Sequence, residues 1–270
     1  TVPFFSEKGV IKDILILILM KLSLCTFNVH FFTSRNNINT FNEIFNDIQQ
    51  INADIVVLEE AIFSSTFKKN CFFEKSHQIG YKYIKMCCDI GVNIVLSKKQ
   101  IDNVKIMKIG KDKGGDRYAI YCYLNYHGKE LEIIGCHLDV FDDTENTRLE
   151  QMKLIMANSK KENTIILGDF NSLRQNDYSS LEWQDMVRID KERNVESQTK
   201  LINYIESLGF IDSFVLGNEP TPKNTVWSKR RVDYIYIKSN LIKNIKSNVY
   251  ETYSSDHFPV SCAIELKIDD

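Results

Sequence analysis

The chain has 270 residues and carries 34 Lys and Arg against 36 Asp and Glu, a formal net charge of −2. Hydrophobic and charged shares of 43% and 26% exclude a disordered or fibrous chain, and this length can bury one sizeable α/β core without staples. The near-neutral balance excludes a dedicated electrostatic nucleic-acid binder, which carries a basic excess, but not an enzyme that grips phosphate through a few local groups.

At the N-terminus, the apolar run Ile14–Met20 stops at Lys21 and is too short to cross a bilayer, so no integral membrane span is expected. We read Met20 as the authentic start, residues 1–19 as an N-terminal extension (a weak signal-peptide core is the alternative), and 20–270 as one domain. Leu22 to Phe27 then becomes the first buried strand, ending at Asn28. Phe41, Ile44, Phe45, Ile48 and Ile51 recur at helical spacing and predict an amphipathic helix over 39–51. Asp54 to Leu58 is a β-branched core strand that ends at Glu59-Glu60.

Gly91 to Leu96 and Val104 to Ile109 read as strands. Arg117 to Tyr126 and Lys129 to Cys136 read as a hairpin around His127-Gly128. Asn146 to Asn158 is a helix, and Thr164 to Leu167 is a core strand running into Gly168-Asp169-Phe170-Asn171. The polar stretch 172–200 reads as loops and surface helix. A helix over 200–208 stops at Gly209, Pro220 and Pro222 mark a loop, and Arg231 to Ile237 and Val260 to Leu266 close the chain as strands. Interleaved strands and helices, with hairpins among them, predict an α/β fold with mixed sheets.

Seven cysteines, odd in number and without Cys-x-x-Cys, argue against a disulfide framework or a zinc site. No Asn-x-Ser/Thr acceptor occurs among the many asparagines. Both features point to a reducing, intracellular compartment, nuclear or cytoplasmic.

Polar clusters fall where core strands end: Asn28, Glu59-Glu60, Asp169 with Asn171, and Asp256-His257, with His137 and Asp233 on or beside strands. These residue types suit phosphate chemistry. Carboxylates are preferred Mg²⁺ donors, Asn and His can stabilise charge developing on a phosphoryl group, and a carboxylate can take a proton from water. No phosphate-binding Gly-x-x-x-x-Gly-Lys loop and no Gly-x-Ser-x-Gly elbow is present.

Six segments in order carry a resemblance. Thr26-Phe27-Asn28, Val57-Leu58-Glu59-Glu60, Cys136-His137-Leu138, Gly168-Asp169-Phe170-Asn171, Arg231-Val232-Asp233-Tyr234 and Ser255-Asp256-His257-Phe258-Pro259 resemble the signature of the endonuclease/exonuclease/phosphatase (DNase I-like) superfamily, from Lys21 to the C-terminus. The resemblance implies a four-layer sandwich, two packed mixed β-sheets flanked by helices. It implies a metal-dependent phosphoric ester hydrolase using Mg²⁺, with Mn²⁺ as a substitute. Glu60 would be the principal metal ligand, with Asn28 beside it and Asp256 assisting. Asp169 would orient or deprotonate the attacking water, and Asn171 would hold the phosphate. His257 would stabilise the transition state or transfer a proton, oriented by Asp233, and His137 would donate to a phosphate oxygen.

Two departures stand out. The family usually has Leu-Gln-Glu where this chain has Leu58-Glu59-Glu60. His137-Leu138-Asp139 replaces the Tyr-x-Pro of the abasic-site endonucleases. His137-Leu-Asp-Val, Thr144, Arg148-Leu-Glu-Gln151 and Thr225-Val-Trp227 resemble the tyrosyl-DNA phosphodiesterase-like branch, which implies a nucleic-acid partner and action on 5′-tyrosyl DNA ends. A phospholipid, sphingomyelin or inositol-phosphate esterase on the same scaffold is the alternative; an inactive binding module is the third reading.

Plainer readings compete at single positions. Asn28 alone suits a turn, Glu59-Glu60 a helix start, and Asp233 a loop anchor. Arg148 and Gln151 suit a helix surface. Arg117, Trp227 and Arg231 are candidate substrate contacts; otherwise 111–117 and 229–231 are solvated loops and Trp227 is packing.

Overall fold

The computed structural model describes residues 21–63, 69–87, 93–126, 128–160, 162–196, 198–222 and 224–267. The expected 1–19 extension and the Ile14–Met20 run lie outside them.

The chain runs β1 (Lys21–Asn28), α1 (Phe41–Ile51), β2 (Ile55–Glu59), α2 (Lys69–Gln78), β3 (Tyr83–Met86), β4 (Asn93–Ser97), β5 (Asn103–Asp112), β6 (Gly115–Tyr126) and β7 (Lys129–His137). It continues through α3 (Asn146–Ala157), β8 (Thr164–Asp169), α4 (Ser180–Glu192), α5 (Lys200–Ser207), β9 (Ile211–Asp212), α6 (Ser213–Leu216), β10 (Asp233–Lys238), β11 (Ile242–Val249) and β12 (Val260–Leu266).

Two six-stranded sheets result, ordered β11-β12-β1-β2-β4-β3 and β5-β6-β7-β8-β10-β9. Each contains one parallel pair, β1/β2 and β7/β8, among antiparallel neighbours. Alternation along the strands decides what lies between the sheets. Leu22, Leu24, Ile55 and Val57 meet Ile133, Ile165, Leu167 and Ile235 in the central layer. Cys25, Phe27, Val56 and Leu58 face outward under α1 and α2. Ile134, Cys136 and Ile166 face outward under α3 and α5. This is the four-layer sandwich of two mixed sheets flanked by helices. The sheets approach closely at Gly135, where a Cβ would come within 2.7 Å of the Val57 side chain.

Local chemistry explains the helix ends. Asn52 stops α1 in the left-handed conformation that Asn tolerates, and Ser179 and Glu182 form a reciprocal capping box at the start of α4. Several elements differ from the sequence reading. Residues 111–117 are the tip of the β5–β6 hairpin rather than a free loop. The polar stretch 172–200 holds the expected surface helix, α4, but also buries Asp177 and Asp190. Phe72 of α2 is fully buried against Phe32, Phe45 and Phe63. No helix among the described residues is long and apolar enough to cross a membrane.

Candidate active site

Strand direction gathers the polar groups. β1 and β2 are parallel, as are β7 and β8, so Asn28, Glu59, His137 and Asp169 finish at one end of the sandwich. β10 and β12 run against them, so Asp233 and the segment carrying His257 begin at that same end. Register fixes the neighbours: Asn28 lies opposite Glu59, and both His137 and Asp233 lie opposite Asp169. Gly168 admits no side chain, because at its φ of +150° a Cβ would sit 1.8 Å from the Cys136 carbonyl oxygen. The motif glycine therefore lets β8 close onto β7 directly before the Asp169 carboxylate.

Left-handed residues end the site strands. Glu60 has φ 55° and Asn171 φ 50°, and His30, Phe31 and Phe32 after β1 have φ 41°, 56° and 59°. Such conformations are unfavourable for residues with a Cβ and recur at functional sites. Here Val29 and Phe31 amides donate to the Glu59 and Glu60 carbonyls and hold the turns together.

The side chains connect the two sheets. Asn28 Nδ2 donates to Asp169 Oδ2 at 3.1 Å and to Glu60 Oε1 at 3.2 Å, while its Oδ1 accepts from the His30 amide at 3.0 Å. Asn28 thus acts as a donor between two carboxylates, and its Oδ1, which accepts the His30 N–H, keeps one further lone pair. The His257 ring nitrogen Nδ1 lies 3.0 and 3.2 Å from the two Asp233 oxygens, and Nε2 lies 3.8 Å from Asp169 Oδ2. Atoms of Asp169, Asp233 and His257 all lie within 4.8 Å of one another.

Electrostatics follow from burial and crowding. Burial raises the Asp169 pKa, and the charges of Asp233 and Glu60 add to the rise, against His257 and Asn28, leaving it at about 7. Burial lowers the His257 pKa, but the Asp233 and Asp169 carboxylates outweigh it and lift the ring to about 10, so His257 is an imidazolium at neutral pH. Burial and the Arg117 charge hold the His137 pKa well below its usual value, so that ring is neutral. The Arg117 guanidinium, which can only donate, lies 3.1 Å from His137 Nδ1. The proton therefore sits on His137 Nε2, 3.6 Å from Asp169 and 3.8 Å from Glu60.

Other expectations need revision. Arg231 is fully buried, paired with Asp177 at 3.0 Å and Asp212 at 2.6 Å, and stacked near Phe214 and Tyr234; it cannot reach a substrate. Arg117 does reach the site, but Asp112 and His137 take up its guanidinium. Asp256 lies 3.7 Å from His30 Nδ1 and outside the tight Asp169–Asp233–His257 group, though its charge also helps to raise the His257 pKa. Glu59 turns under the site, bound by the Thr26 hydroxyl at 2.7 Å, and burial raises its pKa well above the carboxylate range. Asn171 donates to the Leu138 carbonyl and, with Trp227 and His257, lines a cavity of about 370 Å³.

Residues 25–257 match the profile of the Endonuclease/Exonuclease/phosphatase family. The chain belongs to this family. An endonuclease/exonuclease/phosphatase from Beutenbergia cavernae DSM 12333 superposes with a TM-score of 0.71 at 16% identity, over 92% of this chain and 72% of that one. Truncated Caenorhabditis elegans TDP2 gives 0.62 at 14% identity, over 91% and 97%. D. rerio TDP2 complexed with a single-strand DNA product gives 0.62 at 15%, over 91% and 99%. At these identities the likeness concerns the fold alone. No curated protein matches the chain in sequence.

Several groups that support the site carry little signal in the sequence. Ser255 Oγ donates to the Asn28 carbonyl at 2.7 Å and accepts from the His257 amide at 3.2 Å; its place in the Ser-Asp-His motif was the available signal. Arg148, expected on a helix surface, is buried and donates to the Asp139 and Asp142 carbonyls, while Gln151 accepts from the Asp139 amide. Together they clamp the loop after His137. The Thr225 hydroxyl accepts from the Val232 and Asp233 amides. His30 and Arg35 had no sequence signal.

Asp233→Asn is expected to cut kcat about 100-fold and to move the alkaline limb of the pH profile downward. The sign follows from charge: without the Asp233 carboxylate, His257 loses its proton at lower pH. A kcat/KM–pH profile checks this; an unmoved limb would mean that His257 is not the group titrating.

Proposed function

We propose that this phosphoesterase hydrolyses phosphodiester bonds in nucleic acid with a divalent cation, Mg²⁺ first and Mn²⁺ as a substitute. The observation that carries the reading is the Glu60–Asn28–Asp169 bridge beside the Asp233–His257 pair. The donor set fits such a cation: buried carboxylates crowd one another enough to raise the Asp169 pKa, and hard oxygen is what Mg²⁺ prefers. Glu60 would be its principal ligand. When bound, it neutralises charge on the phosphoryl group and leaving oxygen.

The protein groups act around it. Asp169 orients the attacking water and takes its proton. The His257 imidazolium, held by Asp233, stabilises charge on a phosphoryl oxygen, and His137 Nε2–H donates to another. Asn171 holds the phosphate from the cavity beside His257. Trp227 and Arg35 line that same cavity, with the guanidinium 5.8 Å over the indole ring. An aromatic face and a cation beside the reacting group support a nucleotide rather than a bare phosphate. A DNA end carrying a 5′-tyrosyl group is the specific form of substrate that we propose.

One observation favours the lipid alternative. Phe31, Val140 and Phe141, each 44–49% exposed, rim a second cavity of about 390 Å³ that contains Glu60 and His137.

The test incubates the full chain with a 5′-phosphotyrosyl single-stranded oligonucleotide, plain DNA and RNA oligonucleotides, and sphingomyelin vesicles, each with Mg²⁺ or EDTA. EDTA-sensitive cleavage of an oligonucleotide is expected. Turnover unaffected by EDTA would remove the cation, and cleavage confined to the vesicles would move the substrate to lipid.

A further inference from the structure

The cavity beside His257 does not end at Trp227. A larger one, of about 790 Å³, lies on its far side, and Arg35 and Trp227 belong to the walls of both. Its volume is within the roughly 300–1,000 Å³ range of small-molecule sites. None of the catalytic groups lines it.

Its floor is the exposed face of α1. Glu43, Asn46 and Gln50 recur at the three- and four-residue spacing that puts side chains on one helix face, and all three are exposed. The opposite wall is the segment Thr252–Ser254. That segment is fastened to α1 rather than loose: Asp47 Oδ2 accepts from the Thr252 hydroxyl at 2.7 Å and the Ser254 hydroxyl at 2.5 Å, and the Thr40 hydroxyl donates to the Ser254 carbonyl. At the mouth stands Tyr253, 81% exposed, with its ring centroid 5.5 Å from that of Trp227.

The charge distribution selects the ligand. Arg35 is the only cationic side chain among the described residues lining the cavity, and it sits at the boundary with the catalytic side. Along α1, Glu43 and Asp47 repel a phosphate, whereas Asn46, Gln50 and Glu43 offer amide and carboxylate partners for a neutral, flat group with donors and acceptors on its edge. Tyr253 offers that group a π-face. A nucleobase has this chemistry, and base–aromatic stacking is the usual means of holding single strands.

We infer that this second cavity is a subsite for the base of the nucleotide next to the one whose phosphoester is cut. The base stacks on Tyr253, Asn46 and Gln50 pair with its edge, and Arg35 meets the intervening phosphate. The inference rests on the nucleic-acid reading above and narrows it to single-stranded ends, because a base paired in a duplex cannot turn its edge and face into a protein cavity.

The test compares two chromogenic esters, thymidine 5′-(p-nitrophenyl phosphate) and a trithymidylate carrying the same 5′ group, with bis(p-nitrophenyl) phosphate as a nucleotide-free reference. The wild type should prefer the trinucleotide by roughly 10- to 100-fold in kcat/KM, mainly through KM. Tyr253→Ala and the double variant Asn46→Ala/Gln50→Ala should reduce that preference towards unity while hydrolysing the mononucleotide ester at the wild-type rate. No preference in the wild type, or a preference that survives in both variants, overturns the subsite and leaves the phosphodiesterase standing. Hydrolysis of the nucleotide-free ester with neither nucleotide ester cut overturns the nucleic-acid reading, and the subsite falls with it.

Discussion

Replacing Asp169 with Asn is expected to lower kcat/KM by about 10²- to 10⁴-fold while making the cation-free protein less sensitive to alkaline pH. The activity loss follows from removing the one carboxylate that touches both Asn28 and the His257 side of the cleft. The stability effect follows from the sign of its shift. Asp169 is raised from an ordinary 3.8 to about 7, so the fold favours its protonated form. The stability tied to that form is complete below about pH 4 and is lost as pH rises through 7. His257, raised to about 10, adds to the loss above its ordinary 6.5. Asn is neutral throughout and removes the buried repulsion. Thermal unfolding in EDTA at pH 5 and pH 8 should show a larger drop in Tm for the wild type than for the variant, and Mg²⁺ should restore the wild type at pH 8. Full activity in Asp169→Asn would remove the residue from the mechanism; an equal or larger pH-dependent drop in the variant would remove the electrostatic account.

Arg231→Leu should cost about 3–5 kcal/mol. The guanidinium is fully buried between Asp177 and Asp212, and deleting it strands two carboxylates away from water. Arg231→Lys should rescue only part, since one ammonium cannot match a planar fork that pairs with both partners. Adding Asp177→Asn and Asp212→Asn to Arg231→Leu should recover much of the loss, because the cost lies in unpaired charge. Urea unfolding measures all three, and a single-variant loss below about 1 kcal/mol would place the triad among ordinary surface pairs. The triad also carries function at a distance of two residues: it and the Tyr178 hydroxyl, which accepts from the Arg231 amide at 2.8 Å, fix the chain just before Asp233.

What the sequence made legible depended on the kind of signal. Buried β-branched runs such as 164–167 and the apolar stripe of α1 were readable because each is a local pattern with one physical explanation. The site was readable because its polar residues sit at strand ends, where no core requirement explains them. β3 and α2 escaped notice: β3 has four residues with no buried alternation, and only Phe72 and Ser76 of α2 are buried. Arg231 was misread because sequence gives a residue's charge but not its partners; Asp177 and Asp212 are 54 and 19 positions away. Asn28 was legible as a site residue but not as the donor that links Glu60 to Asp169, since which end of an amide faces the cleft depends on the His30 amide two residues on.

Asn28 and Glu60 come from one sheet and Asp169 from the other, so the cleft straddles the seam of the sandwich. A ligand gripping both margins is therefore a rivet through the fold. Its binding energy adds to the docking of the two layers by mass action, about 2.7 kcal/mol at a hundredfold excess over Kd. A cation held there would make catalytic competence and mechanical cohesion share one set of atoms, and its removal would leave a weaker protein as well as an idle one.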